Sequence, residues 1–364
     1  MGCFVAINDS PFSVLVVTPI MQRAHCLPEA AGLCFVDSTA SCDAQNHSIT
    51  FMLMPCAAGA VPVAVIITDG QAKKDYTAGF RQLRECGLRL FGGNGYPEVF
   101  MTDDSDAEQQ ALHAVWPESR QTLCLFHVPQ ANWRWLWDTK NMISKDDRPK
   151  LMTEFKSIML ATNPDEAEMN FETVVSSSLS GKYPNWRCRV QSYWERRERW
   201  CVAWRSAVHR GHHTNNFSEI TVRLFKDNVL ARAMAYNVVA LVDFVCTTME
   251  VYYRRRLLDF AHNRVAKPAL WLSRLMLKAA YLSADSIQQT SDTTFEVPSA
   301  SDPAVSYCVE VLLGMCSCAS SLCGKFCKHQ AAVMQHRSGL CVVHTDTMQH
   351  FIVLSGKNCA DNSH

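Results

Sequence analysis

Carboxylates far apart in a chain can share a divalent metal ion, and this sequence offers them in three short motifs: Phe35-Val-Asp37-Ser-Thr-Ala, Met101-Thr-Asp103-Asp104 and Asn215-Asn-Phe-Ser-Glu219. Asp37 and Asp103 each close an apolar run that reads as a buried strand. Both carboxylates should therefore emerge at strand ends, where α/β folds place their ligand sites. Glu219 stands at the start of a helix. Carboxylate oxygens are the hard ligands that suit Mg²⁺ or Mn²⁺. Two such ions about 4 Å apart activate the attacking oxygen and stabilise the leaving oxygen of a phosphodiester. On this reading Asp37 bridges both ions, Asp103 holds one and Glu219 the other, with water or a DNA 3′ hydroxyl as nucleophile.

A second constellation lies near the C-terminus, where Cys316-Ser-Cys318 is followed after eight residues by Cys327-Lys-His329. Zinc takes four sulfur or nitrogen ligands tetrahedrally, and two close pairs across a short turn meet that need. Cys323 lies between the pairs and is an alternative ligand. With all four positions filled by protein the site has no open coordination, so its expected role is structural, in folding and in DNA or protein contact.

The same residues admit plainer roles. Asp37 precedes Ser-Thr and can bond its own turn, while Asp103, Asp104 and Asp106 can each cap the helix expected from Ala107. Asp104 is a rival to Asp103. Asn216 as cap with Glu219 three residues on is close to a capping box. The Cys/His pattern has chance clustering as its alternative, in a chain of 17 cysteines.

The elements that must position these side chains are legible. From Leu33 the pattern predicts strands at Leu33–Asp37, Ile49–Met54 and Val63–Thr68, a helix at Tyr76–Cys86, a strand at Val99–Thr102, a helix at Ala107–Trp116 and a strand at Leu123–His127. The uncharged stretch Ile49–Thr68 approaches the length of a membrane span. Pro55, Gly59 and Pro62 interrupt it, so it reads as a buried hairpin turning at Cys56-Ala-Ala-Gly-Ala, with no membrane association expected. Beyond Val128 come amphipathic segments rich in Trp and Arg, such as Asn132–Trp137, Leu151–Ala161 and Trp194–His209, which predict an α-helical insertion. Helices then return over residues 216–259. Near the C-terminus a strand at Thr294–Val297, another at Tyr307–Leu313 and a helix at His329–His336 frame the cysteine cluster.

At 364 residues and 48% hydrophobic content the chain can bury a large core, and 35 basic residues against 35 acidic ones give no global positive field. Any nucleic-acid contact must then rest on local patches. The opening Met1-Gly-Cys-Phe-Val has neither a basic start nor a cleavage site, and the cysteine count is odd, so a reducing compartment is expected. Ala6 stands where myristoylation wants Ser or Thr.

Several of these pieces together resemble the Mutator-like element (MULE) transposases. They are Val36-Asp37-Ser-Thr, Val65-Ile-Ile-Thr with the Tyr76–Leu83 helix, Thr102-Asp103 followed by Glu108–Ala114, Trp116-Pro117, Cys124-Leu-Phe-His127 and Thr214-Asn-Asn-Phe-Ser-Glu219. The resemblance covers residues 32–264. It implies an α/β fold with a ribonuclease-H-like mixed sheet, interrupted by the helical insertion, plus a small C-terminal zinc module. It also implies catalytic roles for Asp37, Asp103 and Glu219 with Mg²⁺ or Mn²⁺, and it puts Cys124 and His127 at the Cys-x-x-His pair that such transposases carry. A satisfied core pair is the alternative there. Cys316, Cys318, Cys327 and His329 resemble a SWIM zinc finger, which often accompanies these transposases and holds Zn²⁺. The expected division is a lead-in at 1–31, core at 32–128, insertion at 129–213, closing helices at 214–265, helix and linker at 266–305, zinc finger at 306–345 and a tail at 346–364.

The resemblance further implies DNA cleavage and strand transfer at transposon ends and target, a nuclear location and a homodimer among the allowed assemblies. A domesticated, catalytically silent transcription regulator of the same fold is the alternative, and an RNA-directed nuclease a third. Only some thirty residues precede the first catalytic strand, whereas family members begin with a zinc-binding recognition domain, so a fragment or recognition elsewhere is expected. Arg187, Arg189, Arg196, Arg197, Arg199, Arg205 and Arg210 interleave with Trp186, Tyr193, Trp194, Trp200 and Trp204, a pattern for gripping DNA or for core packing. Arg254-Arg255-Arg256 suits nuclear import, phosphate contact or a solvated helix face. His212 and His213 are candidates to approach the active site.

Overall fold

The computed structural model describes residues 2–205, 209, 215–230, 236–262, 275, 277–280, 282–291, 293–299, 302, 305–311, 315–322 and 327–336. Arg210, His212, His213, Thr214 and Cys323 lie outside them, as does everything after His336. The described residues fall into two compact units, one within 1–124 and 206–265, the other within 125–205 and 266–364.

The first unit begins with β1 (Phe4–Asp9), β2 (Phe12–Val17), α1 (Pro19–His25), β3 (Leu33–Thr39), β4 (Ser48–Cys56) and β5 (Gly59–Thr68). It continues with α2 (Lys73–Arg84), β6 (Val99–Thr102), α3 (Asp106–Val115) and β7 (Arg120–Leu123). The second unit holds α4 (His127–Trp137), α5 (Arg148–Met159), α6 (Pro164–Ser176), α7 (Ser178–Lys182) and α8 (Pro184–Glu195). The first resumes with α9 (Asn216–Leu224), α10 (Val238–Phe244) and α11 (Glu250–Ala261). The second ends with β8 (Gln288–Gln289), β9 (Thr294–Pro298), β10 (Ser306–Glu310), β11 (Met315–Cys316) and the short helices Ala319–Leu322 and Lys328–His336.

A mixed sheet of seven strands, ordered β1-β2-β5-β4-β3-β6-β7, forms the first unit's centre. Its last five members keep the ribonuclease-H-like arrangement: β3, β4 and β5 form an antiparallel meander, and β6 and β7 add to β3 in parallel. The residues read as a lead-in add an antiparallel hairpin, with β2 pairing β5. The run Val14-Leu-Val-Val17 is buried throughout, as a strand between two neighbours must be.

The hairpin expected at Ile49–Thr68 is present, tighter than foreseen: its turn is Ala57-Ala58 alone, and Gly59 at φ +108° re-enters the sheet. Pro62 sits in a central strand because the β4–β5 register shifts there, from Met52↔Ala64 to Leu53↔Pro62. Such an irregularity is where a residue without an N–H can be placed. Gly79 of α2 packs so closely that a β-carbon would stand 2.3 Å from Ile66 Cγ2, which sets the helix down on the sheet. Two expectations are corrected. The strand placed at Leu123–His127 is Arg120–Leu123, since His127 already begins α4. Trp194–His209 is not one amphipathic helix: α8 stops at Glu195, and single 3₁₀ turns follow at Arg197–Arg199 and Val202–Trp204. No helix among the described residues is long and apolar enough to cross a membrane.

Candidate active site and metal centre

The strand register brings Asp37 and Asp103 together. Phe35 of β3 pairs in parallel with Met101 of β6, and each acid lies two residues further on, at the same end of neighbouring strands. Adjacent strands are about 4.8 Å apart and residues i and i+2 share a face. Asp103 follows directly on the end of β6, and Asp37, inside β3, faces the same side of the sheet as Phe35. That side is the one α9 covers: Phe35 meets Phe217 at 5.7 Å between ring centroids, and Phe51, the cross-strand partner of Asp37, meets Phe225 at 5.4 Å.

Asn215, just before α9, locks the helix to the acid-bearing strand. Its buried side-chain amide donates to the carbonyl of Val36 at 2.8 Å, next to Asp37, and its own N–H meets Cys124 Sγ at 3.1 Å. Further along, Lys226 Nζ donates to Ala40 O at 2.9 Å. The helix therefore runs beside β3 from Val36 to Ala40, with half-buried Glu219 between those anchor points. All three acids belong to the first unit, on or beside β3, β6 and α9. Cys124 is buried and fastens the end of β7 to the start of α9. His127 opens α4 in the second unit, its ring edge-on to Phe126 at 5.5 Å.

The capping alternatives resolve in favour of another residue. Ser105 Oγ accepts from Glu108 N–H, so α3 is capped without Asp103, Asp104 or Asp106. Asn215 rather than Asn216 precedes α9, with no side-chain cap hydrogen bond.

On the opposite face of β3 lies a buried polar group that sequence reasoning missed. Ser38 Oγ donates to Glu108 Oε1 at 2.9 Å and shares a 2.8 Å hydrogen bond with Thr50 Oγ1. Glu108 is only 2% exposed. Burial pushes its carboxyl up to about 7, the nearby negative charge of Asp103 adding to the effect and the Ser38 hydroxyl opposing it. Tyr76 of α2 belongs to the same environment: burial raises its phenol, and the charges of Glu108, Asp37 and Asp75 reinforce the shift. At the same sheet edge Asp43 Oδ2 holds His47 Nδ1 at 2.5 Å, while His47 Nε2 faces Asp69 at 3.6 Å. The Ser105-x-x-Glu108 spacing was the available signal for Glu108, and it points to a cap rather than to a site.

In the second unit Cys316, Cys318, Cys327 and His329 are all buried, with their ligand atoms within 4.8 Å of one another. His329 Nδ1 lies 3.8 Å from both Cys316 Sγ and Cys327 Sγ. Nitrogen and sulfur on one tetrahedral zinc stand about 3.6 Å apart, so three sulfurs and one imidazole fit the ion. Their backbone is bound into the module: Cys316 N–H donates to Ser321 Oγ at 2.9 Å and Cys327 N–H to Gln330 Oε1 at 2.7 Å. Tyr307 stacks on the His329 ring at 4.4 Å. Burial pushes the Cys316 thiol up, which a bound dication would reverse by favouring thiolate.

Residues 37–131 match the family model described as the MULE transposase domain. None of the curated proteins compared matches the chain. The domain supports a transposase-like function, and a Cys₃His group able to hold zinc accompanies it. Asp37, Asp103, Cys124 and His127 fall inside the matched MULE segment, whereas Glu219 and the zinc cluster fall outside it.

The aromatic-rich insertion has less to offer a nucleic acid than its composition promised. Trp186, Tyr193 and Trp200 are buried, and Trp194 stacks on Phe171 at 4.3 Å. Arg189 and Arg196 lie over Tyr193, and Arg197 over Trp194, so these guanidinium groups pack on the rings. Arg187 and Arg199 remain exposed. In α11, Arg254 and Arg255 are exposed, while Arg256 folds back to donate to Ala58 O at 2.8 Å.

Proposed function

We propose that this chain is a DNA transposase of the MULE type, with Asp37, Asp103 and Glu219 as its divalent-metal ligands for strand cleavage and strand transfer. The observation that supports the reading is the parallel β3–β6 register, which lays the strand bearing Asp37 beside the strand leading into Asp103, with α9, which bears Glu219, fastened to Val36. When bound, a pair of Mg²⁺ or Mn²⁺ ions supplies activation of the attacking oxygen and stabilisation of the leaving oxygen. Asp37 and Asp103 hold oxygen ligands rigidly from the sheet, and Glu219 closes the set from α9. The half-buried edge limits water around them. DNA, both transposon ends and target, is the partner such a domain implies, the nucleus is the compartment where it would meet DNA, and a homodimer would let two ends be handled together.

The zinc group is read as a SWIM-type finger whose Cys316, Cys318, Cys327 and His329 organise the C-terminal module over residues 306–345. Its role is structural, because protein fills every coordination position. The proposed division keeps the core at 32–128 and 214–265 and the insertion at 129–213, with the lead-in at 1–31 adding its hairpin to the core sheet.

The test is nicking of labelled duplex ends by the purified full chain in Mn²⁺ or Mg²⁺, beside Asp103→Ala. The expected rate falls by roughly a thousandfold in the variant, as loss of a metal ligand should cost several kcal/mol of transition-state stabilisation. Metal-dependent nicking that survives the substitution rejects Asp103 as a ligand. A protein that binds duplex ends but never nicks them leaves the silent regulator as the better reading.

A further inference from the structure

Glu108 stands in a place that its local sequence does not explain. Ser105-Asp-Ala-Glu108 has the pattern of a reciprocal helix cap, in which the glutamate reaches back to the cap residue's backbone. Only half of that exchange is made: Ser105 Oγ accepts from Glu108 N–H, while the Glu108 carboxyl crosses to Ser38 Oγ on β3 at 2.9 Å. A buried carboxyl carries a high desolvation cost unless it is paired or well hydrogen-bonded.

Ser38 follows Asp37 directly, and in a strand the two side chains point to opposite faces. Anchoring the Ser38 hydroxyl between Glu108 and Thr50 therefore fixes the rotation of β3 about its own axis at that residue. The direction of the Asp37 carboxylate is fixed with it. Asn215 acts on the other side, at the Val36 carbonyl. The strand is thus gripped immediately before and immediately after the acid.

We propose that Glu108 is a positioning residue, which aims the Asp37 carboxylate at its metal by holding Ser38 from the far face of the sheet. This rests on the assignment of Asp37 as a metal ligand. Glu108 touches neither metal nor DNA in this account. It acts through a side chain that needs only an oxygen acceptor, so glutamine can replace it and alanine cannot.

The experiment compares the wild-type chain with E108Q, E108A, S38A, the S38A/E108A double variant and D37N. For each, the Mn²⁺ concentration giving half-maximal binding is read from the paramagnetic signal of free Mn²⁺, and thermal midpoints are recorded alongside. E108A and S38A are each expected to raise the Mn²⁺ midpoint by about tenfold, the scale at which groups behind a metal ligand act. The double variant should be no worse than the worse single one, because both changes cut the same link. E108Q should stay within about twofold of wild type, since its amide oxygen still accepts from Ser38.

If E108A fails to fold, S38A and E108Q still decide the matter, because S38A removes a single oxygen. An S38A midpoint equal to wild type overturns the proposal, as does additivity in the double variant. A drop in thermal midpoint with unchanged Mn²⁺ binding means the group is merely structural and likewise overturns it. D37N separates the two layers: weakened binding in D37N but not in S38A or E108A sinks only the positioning role. Equal binding by D37N and wild type sinks the metal assignment and this inference with it.

Discussion

The two candidate centres are built on opposite plans. The zinc group draws its four ligands from a stretch of fourteen residues, 316–329, on one small module, so chain connectivity alone keeps them close. The proposed acid site draws on positions 37, 103 and 219, and only the sheet register and the docking of α9 could unite them. A locally encoded site should fail when its own ligands or module are disturbed. A site assembled over long range should fail when distant fastenings slip, with every ligand still in place.

The largest effect should come from the local site. Cys327→Ser should abolish zinc retention, read as the loss of one metal mass by native mass spectrometry, and unfold the module around it. Structural zinc contributes apparent binding energies on the order of 10 kcal/mol to such folds. If Mn²⁺ binding by the first unit also vanished, the contrast between the centres would break.

The next effect lies in the same unit but outside the ligands. Lys156 of α5 pairs with Glu310 of β10 at 2.7 Å, both nearly inaccessible, and Thr293 and Thr294 complete the glutamate's bonding. Lys156→Met strands a buried carboxylate, which should cost about 3–5 kcal/mol in denaturant unfolding. Replacing Glu310 as well with a leucine should recover much of that loss, because two apolar side chains leave no orphaned charge.

The acid site has a pH signature of its own. Burial raises the Glu108 carboxyl from 4.5 to about 7, so the folded state holds this proton more tightly than the unfolded chain. That contribution to stability is complete below pH 4.5 and declines as pH rises to 7, a change on the order of 3 kcal/mol. Urea midpoints measured across that window should show the decline in wild type and lack it in Glu108→Gln. A variant with the same slope would assign it to other groups. The smallest effect is the most telling for long-range assembly: Asn215→Ala removes a single bond to Val36 and should cost about 1–3 kcal/mol. It should also weaken Mn²⁺ binding without touching a ligand. Unaltered binding would show that α9 is held well enough elsewhere.

Much of this was legible in the chain. The apolar run before Asp103, the hairpin between Ile49 and Thr68 and the Cys/His pairs appear where their residues foretold, whereas β3 runs two residues past Asp37, to Thr39. The boundaries that slipped did so where tertiary packing overrides local pattern. Leu123-Cys-Leu-Phe-His127 is apolar enough for a strand, yet pairing with β6 stops at Leu123 and the chain turns into a helix. The Trp-Arg alternation after Lys182 allowed nucleic-acid contact or core packing, and local pattern could not choose; in the fold the rings pack on each other and guanidinium groups cover them. Glu108 was not legible as part of a site because its partner Ser38 lies seventy residues away and only the packing of α3 on β3 brings them together.

What the sequence determined by itself was whatever depends on neighbours within a few residues: strand and helix character, the turn, the zinc quartet and the kinds of chemistry on offer. What only the tertiary structure decided was which face Asp37 uses, that β6 lies beside β3, that Asn215 fastens the start of α9 to Val36, and that Glu108 reaches Ser38 on the other face. The reason is geometric. A strand's side chains reverse face at every residue, so a register set by contacts between remote segments, and unwritten in any one of them, determines whether three acids meet or point apart.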